Sequence, residues 1–299
     1  VNDAGGSGIE SITAWQCLRA GYALRTIVRE GVVGELYEQT AWTDSSAYEI
    51  FMGRWSELLA PPFLAVASIP TGSRVLDAGC GTGVLSKALA EAGHTVVGID
   101  ASEPYLQGAR DRRSHPNITY EHGDIFHIRF EDRSFDAVVS TLVLDALPDA
   151  APAVAEMRRV TRPGGVVASG LTDLWISPYN SMLWDTAAVL DAGMSALRDF
   201  MKARPISAAN GLAALWRKTG LVEVTEVPVV TDCVYSSFAD YWITFARGQG
   251  SVATRFMGLP DHVRGEIERH VRAGYLAGMP DGPRCIPKVT RVVRGIVPG

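Results

Sequence analysis

Cysteine is scarce in this 299-residue sequence: Cys17, Cys80, Cys233 and Cys285 are all there is. None stands in a C-x-x-C pair or at a metal-ligand spacing, so reduced thiols and no metal centre are expected. Long apolar runs are missing too. None approaches the roughly 20 residues that a membrane span needs. No basic patch followed by an apolar stretch opens the chain, so no secretory signal is read there, and a cytoplasmic location is expected. Positive charge is not in excess either. With 28 Lys and Arg against 33 Asp and Glu, net charge −5, the basic footprint of a nucleic-acid partner is absent. The basic residues near the end, Arg284, Lys288, Arg291 and Arg294, are spread like a solvated face. There are no internal repeats and no long linker.

What remains is ordinary globular composition, 47% hydrophobic and 20% charged. After a Gly-rich start (residues 1–8), near-helical spacing of Ile12, Trp15, Leu18 and Leu24 predicts a helix over 9–34. An apolar-aromatic segment follows through Tyr37, Trp42, Tyr48, Phe51, Met52, Trp55 and Leu58. Pro61-Pro62 is expected to stop or restart it. Strands then alternate with helices. Strands are predicted over 73–77, 95–99, 118–121, 135–140 and 166–170. Helices are predicted over 84–92, 102–111 and 151–160, and Pro163-Gly164-Gly165 reads as a turn. Such alternation implies a parallel sheet with right-handed crossovers. Beyond Gly170 the pattern predicts helices over 184–201 and 212–219, a strand over 222–230, a mostly helical 238–278 and a last strand over 289–297.

Val75-Leu-Asp-Ala-Gly-Cys-Gly-Thr-Gly83 joins the first strand to the first helix of this series. Glycines at 79, 81 and 83 allow a tight turn and a close approach of backbone to ligand. The dinucleotide fingerprint G-x-G-x-x-G needs its third glycine where Val84 stands, and no Lys-Ser/Thr pair of a triphosphate loop is present. Asp100 ends the second strand, Gly123-Asp124-Ile125 ends the third, Asp132-x-Ser-Phe-Asp136 enters the fourth, and Arg159-Val-x-Arg-Pro-Gly-Gly165 enters the fifth.

In this order the landmarks resemble those of class I S-adenosylmethionine-dependent methyltransferases, closest to the small-molecule branch of ubiquinone and menaquinone biosynthesis. The specific part of the likeness covers roughly residues 48–170. It implies a Rossmann-like α/β fold: a seven-stranded, mostly parallel sheet in order 3-2-1-4-5-7-6. A helical N-terminal lid (1–60) precedes a methyltransferase domain (61–299). That domain has its cofactor core at 71–170 and substrate-side additions at 171–215 and 236–283, the latter a helical insertion before the last strand. The implied cofactor is S-adenosylmethionine. Its implied contacts are Asp77, Gly79, Cys80, Gly81 and Gly83 in the turn, Asp100 and Ala101 at the ribose, Gly123, Asp124 and Ile125 at the adenine, and Ser140. Tyr48 and Arg54 of the front segment are implied to reach the methionine carboxylate, which the Arg fork matches. A plain amphipathic helix with a solvated Arg54 is the alternative.

Ligands of open α/β sheets bind beyond the carboxyl ends of the strands, and an acceptor pocket needs apolar walls. Leu142, Leu144, Trp175, Tyr179 and Trp184 are candidates, with Phe238, Tyr241, Trp242 and Phe245 as a cover. Simple core packing is open for each. Methyl transfer needs alignment more than a fixed catalytic group. Asp145 is the leading candidate for a base, beside His122 and His127, and a surface acid is its alternative. The expected partner is a small-molecule acceptor, with homo-oligomerisation left open. Two other readings stay open: a nicotinamide-dependent oxidoreductase, and a non-catalytic binding protein for the same cofactor.

Overall fold

The structure, a computed structural model, describes Trp42, residues 44–247 and residues 250–299. The helix expected over 9–34, Tyr37 and Cys17 lie outside them. The sheet is built from β1 (Arg74–Ala78), β2 (Thr95–Asp100), β3 (Ile118–His122), β4 (Phe135–Thr141), β5 (Thr161–Thr172), β6 (Val222–Tyr235) and β7 (Arg284–Ile296). Their order is β3-β2-β1-β4-β5-β7-β6, as the resemblance implies. The first five strands pair in parallel, and β7 is antiparallel to both of its neighbours. The central strands β1 and β4 are buried on both faces, which their unbroken apolar runs Val75-Leu76 and Ala137-Val138-Val139 make favourable.

Helices α3 (Val84–Glu91), α4 (Glu103–Arg112) and α5 (Ala151–Val160) make the crossovers. In front of the sheet lie a short α1 (Ser45–Tyr48), a π-helical turn (Glu49–Gly53) and α2 (Arg54–Ala67). Helix α2 runs straight through Pro61 and Pro62, so the expected break is corrected. The carbonyls these prolines leave without a partner belong to Glu57 and Leu58, both on the exposed face, where water can serve them. On the other face Leu59, Ala60, Phe63 and Ala67 are buried and hold the helix together.

The additions are α6 (Pro178–Leu190), α7 (Ala192–Ala203) and α8 (Gly211–Lys218) after β5. Then come α9 (Phe238–Ala246), α10 (Gly250–Met257) and α11 (Asp261–Leu276) between β6 and β7. The single helix expected over 184–201 is two. Asp191 has extended backbone and its carboxylate accepts from Met194 N at 2.8 Å, capping a new helix in mid-stretch.

Strand β6 is longer than the expected 222–230. Val229, Thr231, Cys233 and Tyr235 alternate inward while Val230, Asp232 and Val234 face out, a two-residue period partly hidden by its polar members. β7 also starts earlier than expected. The solvated basic face expected there is corrected: Lys288 and Arg291 are buried. Arg291 pairs with Glu226 at 3.1 Å and Asp173 at 3.3 Å. The reason is the topology, which places β7 between β5 and β6 rather than at an edge. Three apolar clusters result. Two flank the sheet around Leu76, Val138 and Trp216, and around Phe63, Val75 and Val139. The third fills the additions around Tyr179, Tyr235 and Phe245.

Candidate active site

β1 delivers the chain into the glycine turn. Gly79, Gly81 and Gly83 all have positive φ, at 77°, 55° and 85°. A Cβ on Gly81 would meet nothing nearer than Tyr48 at 4.0 Å, so this glycine is needed for its left-handed backbone, and the space beside it stays open. A Cβ on Gly83 would come within 2.3 Å of the Tyr120 hydroxyl, so that glycine lets α3 and β3 approach. The N–H groups of Gly79 and Cys80 both donate to Ile99 O, fastening the turn to β2.

At the tip of β2, Asp100 accepts from Gly81 N through Oδ2 and from Ser102 N through Oδ1, each at 2.8 Å. Burial pushes its carboxyl up, while the N–H groups of Ser102 and Gly81 and the nearby His122 oppose that shift. At the end of β3, Asp124 accepts from Phe126 N at 2.8 Å and pairs with His127 Nδ1 at 3.0 Å. Partial burial works against its charge, but these hydrogen bonds outweigh it and hold the carboxyl below its usual range.

These tips line one end of a cleft of about 630 Å³, within the range of small-molecule sites. Gly79, Gly81, Asp100, Ala101, Gly123, Asp124 and Ile125 are in its wall, as is Tyr48 of α1. Its other end is more apolar: Leu142, Val143, Leu174, Tyr179, Trp184 and Phe245. Leu142 is held at φ 60°, a left-handed position just past β4, with its N–H donating to Gly170 O at 2.8 Å. Asp145 also reaches the cleft wall, and burial raises its carboxyl against the pull of Arg204 and Lys288.

Other expected site residues stand elsewhere. Asp77 is buried behind the turn and accepts from Ser86 Oγ at 2.7 Å. Cys80 is buried and faces a smaller cavity under the turn, and burial pushes its thiol up. Gly83 and Ser140 are packed inside rather than in the cleft wall. Arg54 turns away to Asp240 at 2.9 Å and lies over the rings of Trp55 and Tyr235. Trp175 is 56% exposed, with Lys202 Nζ 5.3 Å from its ring centroid. Leu144, Phe238, Tyr241 and Trp242 belong to the cores: the Tyr241 hydroxyl donates to Tyr179 O, and Trp242 stacks on Phe238. His122 and His127 are both exposed, His127 being held by Asp124. The two later landmarks brace the scaffold by pairing with each other, Asp132 with Arg159 at 2.7 Å and Asp136 with Arg162 at 2.5 Å.

Three residues that matter here escaped the sequence. Arg113 binds Glu49 through both of its terminal nitrogens at 2.8 Å, Glu57 at 3.1 Å and Thr82 O at 3.1 Å, so it ties the front segment to the glycine turn. Arg204 donates to the carbonyls of Asp145 and Leu147 and fixes the loop after β4. Lys288 is 3% exposed and lines the cleft. The signal for Lys288 was its place among Ile286, Val289, Val292 and Val293, a charge inside an apolar strand. The arginines pair over long sequence separations and carry no local signature.

Residues 76–169 match the family model of a methyltransferase domain. Over these residues the chain carries the core of a methyltransferase domain. Over 112 residues it is 42% identical to a demethylmenaquinone methyltransferase of Renibacterium salmoninarum, a match covering 38% of this chain and 45% of that protein. Over 144 residues it is 40% identical to a malonyl-[acyl-carrier protein] O-methyltransferase of Erwinia pyrifoliae, covering 48% and 52%. The chain thus spans about half the length of these curated relatives. A solved phosphoethanolamine N-methyltransferase 2 of Haemonchus contortus, in complex with phosphomonomethylethanolamine and S-adenosylhomocysteine, superposes with a TM-score of 0.54. It is 18% identical, covers 85% of this chain and 57% of that one, and shows a shared fold. Among the described residues no helix is long and apolar enough to cross a membrane, and no group of three or more His, Cys, Asp or Glu is placed to hold a metal.

Proposed function

We propose that this protein transfers a methyl group from S-adenosylmethionine to a small apolar or aromatic acceptor by in-line displacement. The observation that carries the reading is one cleft with two unlike ends: an open glycine turn with two strand-tip carboxylates, and an apolar, aromatic-walled chamber. The residues present fit the cofactor. Gly81 leaves room for a ligand against backbone, and Asp100 offers a charged acceptor for ribose hydroxyls. Asp124 and the Ile125 backbone suit an adenine edge, and Tyr48 closes over the turn. When bound, S-adenosylmethionine supplies the electrophilic methyl group.

The chain's own contribution is alignment and exclusion of water. Leu142 and Val143 join Tyr179, Trp184 and Phe245 in walling the acceptor side. Positioning of this kind supplies about 7–11 kcal/mol of a displacement barrier without a dedicated catalytic triad. Aromatic faces beside a desolvated sulfonium add on the order of 1–2 kcal/mol. No structural observation favours the nicotinamide reading, and the domain match speaks for methyl transfer.

Titration calorimetry with S-adenosylhomocysteine and with NAD tests the proposal. The first is expected to bind, and binding of NAD alone would overturn the reading. Asp100→Ala is expected to weaken S-adenosylhomocysteine by about 10- to 100-fold, since a charged hydrogen bond is worth roughly 1.5–3 kcal/mol. Unchanged affinity would remove Asp100 from the ribose site.

A further inference from the structure

The acceptor side of the cleft holds a buried cation, Lys288. Lys288 Nζ lies 3.3 Å from Met52 Sδ and 5.4 Å from the centroid of the Tyr179 ring. Neither is an adequate partner for a buried ammonium, since a thioether is a weak acceptor. Among the described residues no carboxylate forms an ion pair with it within 4.0 Å. The register fixes its direction: Lys288 pairs with the inward-facing Thr231, so a slip of one residue would be needed to turn it out. Buried lysines without partners are rare because the cost is high, and a site that keeps one usually has a use for it.

We propose that Lys288 is the counter-charge of the acceptor: a small aromatic or enolic molecule with an acidic hydroxyl, bound as its oxyanion against Lys288 Nζ. This rests on the methyl-transfer reading and narrows its substrate class. The walls favour a ring-borne oxyanion because Tyr179, Trp184 and Phe245 line the cleft with Lys288 as the one basic residue of its lining among the described residues. The groups facing Lys288 come from four elements: Met52 from the π-helical turn, Asp145 from the loop after β4, Tyr179 from α6 and Cys233 from β6. Burial pushes the Cys233 thiol and the Tyr179 hydroxyl up, which keeps both neutral. Burial likewise raises the Asp145 carboxyl, against the pull of Arg204 and Lys288. Lys288 itself is lowered by burial to about 8, with Cys233 and Asp145 opposing the shift, so it stays largely protonated near neutrality. A bound oxyanion would complete the pair.

The test uses 4-nitrophenol, whose ionised form has its own absorption band, with the protein saturated by S-adenosylhomocysteine. The unaltered protein is expected to bind it as the anion and to lower its apparent pKa by about one unit, a tenfold preference for the anion. In Lys288→Met and Lys288→Gln that preference is expected to vanish, with 4-nitrophenol affinity down at least about tenfold and S-adenosylhomocysteine affinity unchanged. 4-Nitroanisole, which has no acidic hydroxyl, is expected to bind both forms alike. The assignment is overturned if the unaltered protein binds the neutral phenol, if the variants bind the anion as well as it does, or if benzoate binds more tightly than 4-nitrophenolate. Failure of S-adenosylhomocysteine to bind the unaltered protein overturns the methyl-transfer reading itself, and is seen separately by calorimetry.

Discussion

Asp77 and Lys288 are both buried ionisable groups, and they act on stability in different pH windows. Burial raises Asp77 to about 7, aided by the nearby Asp100 charge and opposed by Ser86. Its Oδ1 has no hydrogen-bond partner among the described residues. A carboxyl raised on folding is least harmful when protonated, so stability is lost as pH rises from its unfolded value through about 7. Asp77→Asn is therefore expected to be the more stable protein at pH 8, by on the order of 2 kcal/mol, with the difference shrinking towards pH 5. Urea unfolding at both pH values checks this, and a constant difference would refute it. Lys288 is lowered instead, so its penalty is full below about 8 and fades as pH rises towards its unfolded value. Lys288→Met is expected to raise the melting temperature at pH 7 and to lose that advantage near pH 10.

The front segment is held as an element by one arginine placed just after α4. Removing Arg113 leaves Glu49, whose carboxyl is partly desolvated yet held low by Arg113, without its main partner. Arg113→Met is expected to cost roughly 2–3 kcal/mol of local stability and to speed amide exchange over residues 45–60 while β1 and β4 stay protected. Exchange measured by mass spectrometry distinguishes this from global loss, and uniform acceleration would contradict it. The elements themselves were largely legible. Apolar runs ending in Asp77 and Asp100, and glycine at 83 and 93, mark strand and helix ends through local backbone chemistry. What was not legible depends on partners far along the chain. Pro61 and Pro62 read as breakers because their helix is held by burial of Phe63 and Ala67 against the sheet. Lys288 and Arg291 read as solvated because local spacing does not reveal that β7 is an inner strand.

At the scale of the molecule, the cleft lies where a conventional sheet meets an added helical body, and β6 and β7 join the two. Both strands run past the sheet's main pairing, so that Cys233, Tyr235 and Ile286 become part of the added core while Val292 and Val293 serve the sheet. The front segment closes the same seam. Arg54 pairs with Asp240 of α9 at 2.9 Å and packs on Trp55 and Tyr235, so it joins α2 to the helical body. That geometry gives Arg54 a different task from the cofactor contact implied by its sequence context. The pair is partly exposed, and such pairs contribute about 1 kcal/mol or less. Arg54→Ala is thus expected to change S-adenosylhomocysteine affinity by less than about threefold, equivalent to under 1 kcal/mol, while weakening 4-nitrophenol on the acceptor side. Asp240→Ala is expected to reproduce both effects, and the double variant to add little, because either change breaks the same link. A tenfold or larger loss of S-adenosylhomocysteine affinity in Arg54→Ala alone would instead show that Arg54 swings into the cleft when the cofactor is bound.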